Sequence, residues 1–103
     1  MAVAPYNWVS RAAEFGNSLT PTWKSAPADR AWELAAASQQ HELALKVNTW
    51  KRINRRGNKA LAEAVGVNPE TIARYLRGEA TMPLAIFNHL AHLVGLEVTV
   101  TLD

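Results

Sequence analysis

The stretch NPETIARYLRG, residues 68–78, places a carboxylate and a guanidinium four positions apart, at Glu70 and Arg74. On a helix that spacing puts both on one face. They can neutralise each other as a surface pair worth about 0.3 kcal/mol. Alternatively they present a hydrogen-bond acceptor and a two-pronged donor to another molecule. Their surroundings have to decide between the two.

Those surroundings are basic. Between Lys46 and Arg77 lie eight basic residues (Lys46, Lys51, Arg52, Arg55, Arg56, Lys59, Arg74 and Arg77) against two acids, Glu63 and Glu70. The rest of the 103-residue chain is net acidic, so the formal total is only +2. A positive middle concealed in a near-neutral chain is the footprint that attracts a polyanion. A solvated helical face is the plainer reading of the same cluster.

Other chemistry finds less support. Cysteine is absent, which removes disulfides and thiolates from consideration. His89 and His92 stand three apart on a helical pattern, but no third metal ligand accompanies them. Neither a nucleophile elbow nor a phosphate loop is present. The sequence therefore offers no catalytic residue, no metal site and no cofactor site, and the expectation is a binding protein and not an enzyme. An apolar fraction of 49% suffices for a core, and no apolar run has the length of a membrane span. With no basic residue ahead of the first apolar positions, a soluble, cytoplasmic protein is expected.

The elements that must position these residues follow from periodicity and caps. Residues 1–27 carry Pro5, Pro21 and Pro27 among Tyr6, Trp8, Phe15 and Trp23. They read as an extension packing on the body, with Asn7 capping a short helix stopped by Gly16. Residues 28–56 contain neither Gly nor Pro and read as helix, with a break expected around Ser38–His41. In its second half Leu43, Val47, Trp50 and Ile53 form an inward stripe, and Gly57 ends it. Two short helices are expected over Asn58–Val65 and 69–77, hinged at Gly66 and closed by Gly78. Asn68 suits the second helix as N-cap and Pro69 suits its first position. A further helix carries the stripe Leu84, Phe87, Ala91 and Val94, with Gly95 in the left-handed closing position. The chain ends in LEVTVTL, residues 96–102, where Leu96, Val98, Val100 and Leu102 alternate with polar residues as in a half-buried strand. A lone strand needs a partner, either residues near Val3–Val9 or the same strand of a second chain. The second is preferred, which makes these four residues the expected dimerisation contacts.

The segment 57–78, with its basic-ended helix before it, apolar helix after it and terminal strand, resembles the lambda-type repressor and Cro (XRE) family. The resemblance covers roughly residues 42–102 and leaves the extension unmatched. Tyr75 stands where an aliphatic is usual, and Pro69-Glu70 replace the polar amides often found in the base-reading turn. It implies a mainly α fold, a helical bundle with a helix-turn-helix (Cro/C1 repressor-like) in a domain spanning 28–103, plus the C-terminal β-strand.

The resemblance also implies that helix 69–77 enters the major groove of double-stranded DNA. Pro69, Glu70 and Arg74 would then read bases: Arg74 a guanine, Glu70 a cytosine amino group, Pro69 a thymine methyl. Arg52, Arg55, Arg56, Asn58, Lys59, Thr71 and Arg77 would hold the phosphate backbone. Lys46 and Lys51 would be merely solvated. Such a protein would be a transcriptional repressor acting as a homodimer on an inverted-repeat operator, similar to phage immunity repressors. A second reading is an antitoxin that binds a protein toxin, with residues 1–27 as the neutralising segment, and represses its own operon. A third is an accessory factor that bends DNA.

Overall fold

A computed structural model of the chain describes residues 3–95. The expected strand 96–102 lies outside the described residues. The described part is mainly helical. Four α-helices follow three short 3-10 turns: α1 (Ala31–Asn54), α2 (Asn58–Val65), α3 (Pro69–Leu76) and α4 (Leu84–Leu93). None of these helices is long and apolar enough to cross a membrane.

The 24-residue α1 runs without a break, contrary to the expected interruption at Ser38–His41. Its polar middle is buried because it finds partners far away in the chain. The Gln40 amide donates to the carbonyls of Tyr75 (2.9 Å) and Ala80 (3.0 Å), and its own carbonyl accepts from the Met82 N–H at 2.9 Å. His41 Nδ1 accepts from the Gly16 N–H at 2.8 Å, and its ring stands edge-on to Phe15 and Trp23, each 5.5 Å away. Because Nδ1 accepts, the imidazole is the tautomer with its hydrogen on Nε2. Gln40, with both ends of its amide partnered, fixes one arrangement of the core instead of breaking the helix, while His41 Nε2 is buried without a hydrogen-bond partner among the described residues.

The extension packs on the body, though not as a short α-helix. Residues Pro5–Trp8 and Ala12–Glu14 form separate 3-10 turns, and Asn7 lies inside the first of them instead of capping a helix. Val9 pairs with Trp23 in an isolated antiparallel bridge. Val9 and Phe15 enter the same core as Leu43, Val47, Leu61, Ile72 and Leu90. Each large apolar side chain so buried contributes about 1.5–3 kcal/mol. The stretch also grips the end of α3. The Tyr6 N–H donates to the Gly78 carbonyl at 3.0 Å, and the Phe15 ring lies where a Cβ at Gly78 would sit, 2.7 Å off.

Two expected inward positions differ. Leu43 and Val47 are buried and Trp50 is half-buried, but Ile53 is 74% exposed because the end of α1 overhangs the core. On α4 the buried pair is Leu90 and Ala91, while Leu84 at its start is 73% exposed and Phe87 half-buried. Nor does Gly57 terminate α1. Arg55 takes the left-handed position itself (φ 52°), and Gly57 is extended and precedes α2.

Candidate nucleic-acid interface

The pair α2 and α3 is built by local signals. Gly66 has φ 76° with nothing near its missing Cβ, so the backbone angle alone demands glycine there. The Ala62 carbonyl accepts from both Gly66 (2.8 Å) and Val67 (3.1 Å), which closes α2 in a turn. Asn68 then caps α3, its Oδ1 accepting from the Glu70 N–H at 2.8 Å, with Pro69 at the first helical position. Ile72 and Leu76 face the core, and Tyr75 packs half-buried beside them. Ala73 is half-buried in a cleft against α1.

This leaves Pro69, Glu70, Arg74 and Arg77 exposed on α3 and its end, with Thr71 half-buried at the flank. The expected pairing of Glu70 with Arg74 is not what forms. Glu70 Oε1 instead accepts from Arg77 Nη2 at 3.3 Å, and Arg77 Nε donates to Glu79. Those contacts raise the Arg77 pKa, the hydrogen bond it donates to Glu79 first. Arg77 therefore spends its charge on two carboxylates, which weakens the case for it as a phosphate contact.

Arg74 has no carboxylate within ion-pair distance among the described residues. The same holds for Lys51, Arg52, Arg55, Arg56 and Lys59. Arg52, Arg55, Arg56 and Lys59 are exposed around the corner from α1 to α2. The corner's tightness comes from Arg55, a side-chain-bearing residue in a conformation costing about 1–2 kcal/mol.

Lys51, expected to be solvated, has a structural place. Its Nζ donates to Asn58 Oδ1 at 2.6 Å, tying the end of α1 to the start of α2. Burial lowers its pKa. Asn58 thus keeps its amide NH2 as a donor for another partner. Lys51, Asn58, Ala73 and Arg77 line one cleft of about 170 Å³, together with Asn17 and Asn48. The spacing of Asn48 and Lys51, three apart on α1, was the available signal for that grouping. The presence of Asn17 had none, because it depends on how the extension folds back.

Chemically, the surface offers a guanidinium on a capped eight-residue helix, beside a run of cations, none of them with a carboxylate partner among the described residues. It can accept an anionic polymer and present a donor fork to a planar acceptor pair. No protein-family model, curated protein or solved structure matches the chain.

Proposed function

We propose that the chain is a sequence-reading, double-stranded DNA-binding protein that acts as a transcriptional repressor. In this reading α2 and α3 form a helix-turn-helix and α3 enters the major groove. Arg74 reads a guanine through its O6 and N7. Arg52, Arg55, Arg56 and Lys59 hold phosphates beside the groove, with the Asn58 amide as a neutral donor. Glu70 orients Arg77 and has less freedom to accept from a base. Two copies on an inverted repeat would present two such helices one turn of DNA apart.

The observation that carries the reading is Arg74: exposed, without a carboxylate partner among the described residues, and placed on the helix that Asn68 caps. The antitoxin reading draws no support from residues 1–27, since Val9 and Phe15 are core residues and not a detachable segment.

Fluorescence anisotropy with a mixed-sequence 30-base-pair duplex tests the partner class. With four cationic phosphate contacts per copy, log Kd should change with log salt at a slope of about 4 per bound copy. Substituting Arg56→Ala should reduce that slope by about 1. A protein that leaves the duplex unbound at low salt would sink the proposal.

A further inference from the structure

Glu79 stands where a helix does not favour a carboxylate. Gly78 takes the left-handed position after α3 (φ 74°), and its N–H donates to the Tyr75 carbonyl at 3.1 Å. The Glu79 N–H donates to the Arg74 carbonyl at 2.9 Å. These two bonds make a glycine-closed helix end and fix Glu79 directly beyond the last turn. The outer carbonyls of a helix C-terminus carry partial negative charge, which favours cations there and disfavours acids. A residue that breaks a local preference in an otherwise consistent segment calls for a reason beyond the fold.

The core does not supply that reason. Glu79 is exposed, and its one side-chain hydrogen bond among the described residues comes from Arg77 Nε. The extension sets where that carboxylate stands. The Tyr6 N–H holds the Gly78 carbonyl at 3.0 Å, and the Phe15 ring fills the space beside Gly78. Tyr6, Phe15, Arg77 and Glu79 share the walls of one open cleft of about 440 Å³.

Arg77 is the residue on which this arrangement acts. Besides the extension cleft it walls the polar cleft of Lys51 and Asn58, where one phosphate would meet three donor groups. With Nε on Glu79 and Nη2 on Glu70, its guanidinium meets a polyanion already neutralised. A cationic phosphate contact strengthens binding to every sequence alike and carries no base preference. Withholding one therefore loosens the grip on DNA in general and leaves the reading by Arg74 as it is.

We propose that Glu79 limits the sequence-independent affinity of the chain for duplex DNA by holding Arg77 off the phosphates, with Glu70 as the longer arm of the clamp. Glu79 is a positioning residue, acting through Arg77, and its role rests on the DNA-binding reading of α3.

Anisotropy with the same mixed-sequence duplex tests this on the wild type, Glu79→Ala, Arg77→Ala and the double variant. One added phosphate contact should tighten binding by Glu79→Ala about tenfold at about 50 mM salt and about threefold at about 200 mM. The salt slope should rise by about 1. In the Arg77→Ala background the same substitution removes only the repulsion of one carboxylate, so the gain should fall to about threefold or less at low salt, with no rise in slope. An equal gain in both backgrounds would make Glu79 a plain repulsive charge and overturn the proposal. So would a Kd and a slope that Glu79→Ala leaves unchanged while the wild type binds, a result that spares the DNA-binding reading. A wild type that leaves the duplex unbound would instead fail that reading, and the clamp with it.

Discussion

Glu70 is bonded to Arg77 and not to Arg74, the residue one helical turn away from it. The consequence is a division of labour at the end of α3: one arginine is held between two carboxylates, and the other has no carboxylate partner among the described residues. Exposed pairs of this kind are worth about 0.2–1 kcal/mol, so Glu70 contributes little to stability. Its importance lies in which guanidinium it leaves available.

That relationship predicts the result of a double-mutant cycle. Glu70→Ala and Arg74→Ala should be additive in urea unfolding to within about 0.3 kcal/mol. The pair Glu70→Ala and Arg77→Ala should instead show a small but measurable coupling. Coupling confined to Glu70 and Arg74 would reverse the assignment of the free arginine.

Arg55 gives a substitution whose effects on folding and on binding have opposite signs. Arg55→Gly relieves the left-handed strain at φ 52° and should stabilise the protein by about 0.5–1 kcal/mol, after allowing for glycine's extra freedom when unfolded. The same change removes a cation from the proposed phosphate-facing corner and should weaken duplex binding. Thermal unfolding and anisotropy on one sample check both.

How much of this was legible in the sequence depends on the range of the forces involved. The bounds of α2, the Gly66 turn and the Asn68-Pro69 start of α3 follow from signals within a few residues, and the structure has them at those positions. The continuity of α1 was not legible, because Gln40 is satisfied by backbone groups 35 to 42 positions away. The same applies to the fold of the extension, whose hold on the body runs through backbone groups such as the Tyr6 N–H and the Gly78 carbonyl. Ile53 fits an inward stripe by period, and only the overhang of α1 past the core exposes it. At the candidate site, helical spacing allowed Glu70 both Arg74 and solvent, but it gave no hint that Arg77 would reach back.

Gly78 tests the grip of the extension on α3. Gly78→Ala places a Cβ 2.7 Å from the Phe15 ring in a residue with φ 74°. The combined clash and backbone strain should destabilise the fold by about 3 kcal/mol. Gly66→Ala meets no atom and should cost only the backbone term, about 1 kcal/mol. Chemical denaturation of the two variants would show the difference, and equal losses would mean that Phe15 does not press on Gly78.

Lys51 predicts a pH dependence of stability. Burial lowers its pKa below the ordinary 10.5, so the folded protein releases that proton before the unfolded chain does. Between those two values the unfolded chain binds more protons, and stability gains a contribution as pH rises through the window. Below it, the desolvation of the ammonium is a constant cost. Lys51→Met should remove this rise, seen as a smaller alkaline gain in unfolding free energy than in the wild type.

The central claim is that Arg74 reads a base, and selection from a random duplex library by wild type and Arg74→Ala, side by side, tests it most directly. The account predicts an enriched inverted repeat for the wild type. It also predicts that one position per half-site relaxes with Arg74→Ala, at about 1–3 kcal/mol per contact. Enrichment of no motif by the wild type, or of the same motif at the same stringency by Arg74→Ala, would contradict it.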